Sequence, residues 1–334
     1  MLKIAVNGFG RIGRNFVRAV MQDPKASKKL TITAINIGTA NPDFIAPMFK
    51  HDTLLGPFAG SVATKGDYLI INDHKIKIIS QLDARKCNWK VLNIDWVVDA
   101  TGHYTDAKKA RDHIKAGAKK VLITAPAKGE DASIIPGVNS DDYNDKKHTI
   151  VSLGSCTTNA FMPMLKVLND AFGVVKGYMT TVHAYTNSQV LLDVEATDLR
   201  ESRAAALNII PTSTGASKML AKVMPELGDK IISSSLRVPV GKVSLIDLVL
   251  ILKKAATAKQ INEAFAKAAS GDLKNIVAVT TQELVSSDFS GANHSVTIDT
   301  LLTQAQGHMV KVNGWYDNEW AYSERLKDFL LFVS

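Results

Sequence analysis

The stretch Leu2-Lys3-Ile4-Ala5-Val6-Asn7-Gly8-Phe9-Gly10-Arg11-Ile12-Gly13-Arg14 decides the fold of the first half of the chain. Leu2 to Val6 is an apolar run that reads as a buried strand, and three glycines follow it at the spacing G-x-G-x-x-G. Ile12, Phe16, Val17 and Val20 then recur at helical spacing, so the glycines make the turn from a strand into a helix. In that setting Gly8 permits a tight turn, Gly10 lets the backbone approach a pyrophosphate, and Gly13 lets helix and strand pack closely. The helix start adds amide donors and positive potential for phosphates. The pattern predicts a dinucleotide-binding unit.

Outward from this loop, Leu30 to Ile35 reads as the next strand, and Asn36 at its end is a further cofactor candidate. Units of this kind place an Asp or Glu about 20 residues after the glycines to accept the ribose hydroxyls. Here the strand ends in Asn36-Ile37-Gly38-Thr39, without a carboxylate. That removes an acceptor for a 2′-hydroxyl and also the charge that would repel a 2′-phosphate, which admits NADP beside NAD. Tyr68 to Ile71 and Ile76 to Ile79 flank Asn72-Asp73, a hairpin signal. Strands at Trp96 to Val98, Lys120 to Thr124 and Thr149 to Leu153 alternate with a helical stretch, Ala107 to Ala116. The alternation predicts an α/β, Rossmann-type unit with a doubly wound parallel sheet.

The second half reads differently. Pro163 to Phe172 and Ser217 to Met224 are helical, whereas Val243 to Leu252, Ser295 to Asp299 and Val310 to Asn313 are strands in closer succession. An α+β catalytic domain on a mostly antiparallel sheet is expected. Asn318 to Phe332 returns to helical spacing. The predicted division is a dinucleotide-binding domain over 1–155, with the C-terminal helix 318–334 docked on it, and a catalytic domain over 156–317.

Composition narrows the class. The 334 residues are 46% hydrophobic and 22% charged, enough for two cores. Two cysteines, Cys87 and Cys156, are too few for a disulfide framework and point to a reducing, cytoplasmic setting. Met1 to Gly10 shows no basic leader or apolar signal core, so secretion is not expected. The longest apolar stretch, Val243 to Leu252, is broken by Ser244 and Asp247, so no membrane span is expected. The net charge of +8 comes from scattered lysines without interleaved aromatics, which argues against a dedicated nucleic-acid role. No two histidines or cysteines have ligand spacing, so no metal is expected.

The candidate nucleophile is Cys156 in Ser155-Cys156-Thr157-Thr158-Asn159, between the strand Thr149 to Leu153 and a helix. A helix start stabilises the thiolate. Free cysteines are often buried core residues, but polar neighbours on both sides argue against that reading. The best base is His183, where Thr180 to Asn187 passes from a strand into a polar loop. A hydrogen-bonded core histidine is the alternative. Thr212-Ser213-Thr214-Gly215 offers hydroxyls and amides at a helix start, and Arg203 and Arg237 are candidate forks for phosphate. A capping motif and two surface arginines would explain the same residues.

Together, Asn7 to Arg14, Ser155 to Asn159, His183 to Asn187, Pro211 to Ala216, Arg237-Val238-Pro239 and Trp315 to Trp320 resemble the glyceraldehyde-3-phosphate dehydrogenase family along essentially the whole chain. The resemblance implies phosphorylating oxidation of glyceraldehyde 3-phosphate, with Cys156 as nucleophile and His183 as its base. It implies that Ser155, Thr157, Thr214 and Gly215 bind inorganic phosphate with Arg203 nearby, and that Thr186 and Arg237 hold the substrate's phosphate. By the same likeness Arg11 and Ile12 contact the cofactor pyrophosphate, Thr101 and Thr124 line the cofactor cleft, and Asn318 fixes the nicotinamide carboxamide. A homotetramer is implied, with an S-shaped loop over about Tyr185 to Leu207 reaching a neighbouring subunit's cofactor. NAD-preferring members carry an aspartate at the position of Ile37, and a commonly proline position in that loop is Glu195. A related alternative is erythrose-4-phosphate dehydrogenase, and one from another class is a surface or RNA-binding protein on the same scaffold.

Overall fold

The computed structural model describes residues 1–196 and 198–334. It divides into two compact units, the first formed by Met1–Ile134, Ser140–Gly154 and Ser323–Ser334, the second by Ile135–Asn139 and Ser155–Tyr322.

Among the described residues the first unit holds one sheet, in the spatial order Val62–Lys65, Tyr68–Ile71, His74–Ile79, Leu30–Asn36, Leu2–Asn7, Trp96–Asp99, Lys120–Ile123, Ile150–Ser152 and Ala132–Ser133. From His74–Ile79 onward every neighbour is parallel. The centre is buried on both faces, with Ile4, Val6, Val97, Val98, Val121 and Leu122 all but inaccessible. That burial explains why these strands read as continuous apolar runs. The order reverses at Leu2–Asn7, which has Leu30–Asn36 on one side and Trp96–Asp99 on the other. Such switch points are where open parallel sheets bind ligands. The expected hairpin is present: Asn72 and Asp73 take φ 46° and 66°, the paired left-handed turn that matches strand twist.

The second unit's sheet runs Ile210–Thr212, Ile231–Val238, Val174–Ala184, Ser244–Leu252, Met309–Tyr316, Val296–Gln306 and Val277–Thr280. Val174–Ala184 is parallel to Ile231–Val238, and Val277–Thr280 to Val296–Gln306; the other ladders are antiparallel. Ile246, Leu248, Leu250 and Leu252 project from alternate positions into one core with residues of the helices Cys156–Phe172, Ala216–Val223 and Ala258–Ser270. The helix Ala258–Ser270 was not anticipated, although Thr257 and Gln260 cap it reciprocally, a signal visible in sequence.

Three boundaries differ from expectation, each for a local reason. The helix expected from Pro163 starts at Cys156, because Ser155 and Thr158 close a capping box and Pro163 is carried inside. Ser155 therefore belongs to the second unit, not the first. Asn318 to Tyr322 also stays with the second unit. Next to it, buried Asp317 pairs with Lys242 at 2.8 Å and accepts from the amides of Gly291, Glu319 and Trp320. Ile135–Asn139 joins the second unit as well, since Ile135 enters its core and Gly137 packs on Leu273 and Ile276. Between Lys242 and Ser244, buried Val243 has φ 68°, a conformation that β-branched residues rarely adopt.

Candidate active site

The glycine loop follows from sterics. Gly8 has φ 92°, and a Cβ there would lie 2.8 Å from the Thr101 side chain. A Cβ on Gly13 would lie 2.1 Å from the Gly8 carbonyl oxygen. Gly10 is different: nothing lies within 4 Å of the place its Cβ would take. Two glycines close the turn, and the third leaves open space at the start of the helix Arg11–Gln22. Asn36, Thr101 and Thr124 sit at or just beyond the carboxyl ends of neighbouring strands, on the edge that carries this loop. The Arg11 guanidinium pairs with Asp52. Buried Asn36 bonds Asn7 and the Gln81 carbonyl, and buried Ile37 brings no carboxylate to this strand end.

In the second unit Ser155 is the N-cap of a 17-residue helix and Cys156 its first helical residue. Thr158 Oγ1 accepts from the Ser155 amide at 2.7 Å and donates to the Ser155 carbonyl at 2.8 Å, which fixes the turn. The Cys156 thiol thus sits at the positive end of a helix. Its Sγ lies 3.5 Å from Nε2 of His183. His183 Nδ1 is 2.6 Å from the Ala184 carbonyl oxygen. A carbonyl can only accept, so that proton is on Nδ1 and Nε2 is left as the acceptor facing sulfur.

Sheet register supplies the charge. Val174–Ala184 pairs with Ile231–Val238 so that His183 stands beside Arg237, and Thr181 beside Ser235. Ile210–Thr212 adds Thr212 beside Ser235 on the same face. Burial and then Arg237 push the His183 imidazole down to about 4. Burial pushes the Cys156 thiol up, while Arg237 and hydrogen bonds from Thr157 pull it back. The imidazole is accordingly neutral at pH 7 and able to take a proton. Between pH 6.5 and about 4 the unfolded chain binds a proton on this residue that the folded chain refuses, so stability falls as pH falls through that window. Denaturant titrations of the protein and of His183→Gln should show the parent losing about 2 kcal/mol more than the variant between pH 7 and pH 4.5. Equal losses would refute the suppressed protonation.

Two supporting groups escaped the sequence reading. Buried Tyr316 shares its hydroxyl with Thr157 at 3.0 Å and Thr181 at 2.7 Å, and its ring meets His183 edge-on at 6.0 Å. Ser244 accepts from the Ala184 amide at 3.0 Å and donates to Asn318 at 3.1 Å. Core-facing alternation along Met309–Tyr316 was the available signal for Tyr316; Ser244 had none. Thr214 and Gly215 stand at the start of the helix Ala216–Val223, and Thr186 bonds Ser188 at 2.9 Å. Arg203 is exposed and bonds Asp193 at 2.5 Å on its own loop. Among the described residues no group of His, Cys, Asp and Glu could hold a metal ion, and no helix is long and apolar enough to cross a membrane.

Comparison with known proteins decides the family. The family model for the glyceraldehyde 3-phosphate dehydrogenase NAD binding domain matches residues 2–107, and that for the C-terminal domain matches 155–318. The chain belongs to the glyceraldehyde-3-phosphate dehydrogenase family. Among its relatives, glyceraldehyde-3-phosphate dehydrogenase of Geobacillus stearothermophilus is 44% identical over 100% of this chain and 98% of its own length. The Streptomyces coelicolor enzyme of that name is 46% identical over 99% and 98%. Glyceraldehyde-3-phosphate dehydrogenase 1 of Bacillus subtilis is 44% identical over 100% and 98%. Within this family the cysteine motif falls in the C-terminal model and the glycine loop in the NAD-binding one.

Proposed function

We propose that this chain catalyses the reversible, phosphate-dependent oxidation of D-glyceraldehyde 3-phosphate to 1,3-bisphosphoglycerate. The observation that carries the reading is the Cys156–His183 pair, 3.5 Å apart at a helix start with Arg237 in register. Cys156 adds to the aldehyde carbon, and His183 Nε2 takes the proton of the thiohemiacetal hydroxyl as the thioester forms. The helix start and Arg237 steady the anionic sulfur. Thr186 and Arg237 hold the substrate's phosphate, while Ser155, Thr157, Thr214 and Gly215 receive inorganic phosphate for the second half. Positioning of this kind supplies up to ~7–11 kcal/mol in favourable cases.

The nucleotide site fits its group, because the open space at Gly10 is what a pyrophosphate drawn against the helix start requires. A bound nicotinamide dinucleotide supplies the hydride acceptor. Gly8, Gly10, Arg11, Ile12 and Gly13 would hold its phosphates, Asn36, Thr101 and Thr124 the strand-end cleft, and Asn318 the carboxamide. Ile37 removes the usual discrimination against a 2′-phosphate, so NADP is accepted alongside a modest preference for NAD. A cytoplasmic homotetramer completes the reading. It is supported by the free cysteines and by the exposed apolar side chains Leu191, Leu192, Leu199 and Leu207 along the S-shaped loop.

Steady-state assays with glyceraldehyde 3-phosphate, run with and without inorganic phosphate and with NAD or NADP, test the reaction. Sustained turnover should need phosphate, and kcat/KM should favour NAD by less than about tenfold. Turnover indifferent to phosphate would end the phosphorylating reading.

A further inference from the structure

The acceptor half of the proposed reaction needs an anion beside the turn Thr212 to Gly215, yet a carboxylate is hydrogen-bonded to the first residue of this turn, with Arg200 lining the same pocket as Thr212 and Ser213. Glu201 Oε1 accepts from Thr212 Oγ1 at 2.5 Å, while Arg203, two residues on, is turned to Asp193. Thr212 is the last residue of its strand and lies two residues before Thr214, so their Cα atoms are at most ~7.6 Å apart. Register puts Thr212 beside Ser235, one strand from Thr181 and on the face that carries Arg237 and His183. With strands ~4.8 Å apart, the Glu201 carboxylate is on the order of 10 Å from the Arg237 and His183 positions.

We infer that Glu201 determines how the enzyme takes its acyl acceptor, by placing a negative charge where inorganic phosphate must approach. The inference rests on the phosphorylating reading above. In the step concerned, a phosphate oxygen forms a bond to the thioester carbon. The C–S bond breaks, its electron pair returns to Cys156 Sγ, and nothing is oxidised or reduced. Repulsion from Glu201 falls mainly on the incoming dianion, which must come to the turn that Glu201 is bonded to; the substrate's own phosphate, held at Thr186 and Arg237, lies further off and feels less of it. The aldehyde addition and proton transfer that precede it depend on Cys156 and His183, and the hydride step leaves the acceptor turn untouched. Glu201 therefore raises KM for inorganic phosphate with little effect on the acylation half. The hydrogen bond to Thr212 also fixes the carboxylate in place, so it does not swing away as a free surface side chain would.

E201Q tests this, since the glutamine oxygen still accepts from Thr212 while the charge is gone; E201R reverses the charge. KM for inorganic phosphate should fall roughly tenfold in E201Q and further in E201R, with a larger effect at low ionic strength. KM for the aldehyde should fall far less, by no more than about twofold, and KM for NAD and the burst of NADH formed before phosphate is added should match the parent. An E201Q enzyme with the parent's KM for phosphate would overturn the inference, and E201Q alone decides it if E201R does not fold. Failure of the underlying reading looks different: the parent itself would give no NADH burst with glyceraldehyde 3-phosphate.

Discussion

Cys156→Ser should lower kcat for aldehyde oxidation at least ~10⁴-fold while leaving the fold intact. A serine hydroxyl is not ionised near neutral pH, so the helix start and Arg237 have no anion to steady at that position. Serine is close to cysteine in size, and the fold loses little with the thiol: Ser155 and Thr158 cap the helix without it, and Cys156 is a partly buried residue at the edge of the second unit's core. NADH formation measured beside a thermal melt separates the two effects. A variant that melts with the parent but has lost the burst supports the nucleophile, and one that keeps it refutes the assignment.

The largest effect on stability should come from Asp317→Ala. Its carboxylate is fully buried, neutralises Lys242 at 2.8 Å and accepts three backbone amides at 2.8–3.1 Å. Removing it leaves an ammonium without a counter-charge in a site with almost no water, at a cost of about 3–5 kcal/mol. Urea unfolding should register that loss. Adding Lys242→Met in the same chain should restore part of it, because the stranded charge goes with the lysine. Equal stability of the single and double variants would place the loss in the amide bonds instead.

What could be read from the sequence was what short range decides. The glycine loop, the Asn72-Asp73 hairpin and the run leading to Cys156 each declare themselves within a dozen residues, because turn sterics and capping act locally. Long-range register was not legible. That His183 stands beside Arg237, or that Tyr316 bonds both Thr157 and Thr181, depends on how strands far apart in the chain align, and no local pattern states it. Charge pairing within the loop that follows His183 was equally illegible: that Arg203 bonds Asp193, and Glu201 bonds Thr212 11 residues on, depends on the loop's own path. The expected end of the first unit at Ser155 lies one residue beyond Gly154, because the residue that finishes one turn also caps the next helix.

Val243 at φ 68° is flanked by two fixed points, the Lys242 ion pair before it and the Ser244 bonds to Ala184 and Asn318 after it. A backbone held this way, at on the order of 1–3 kcal/mol of strain, behaves like a preloaded mechanical stop. It could relax only by pulling one of its anchors out of true. The hydroxyl of Ser244, and through it the amide beside His183, is therefore kept to a narrow positional tolerance in a strand end that would otherwise have play.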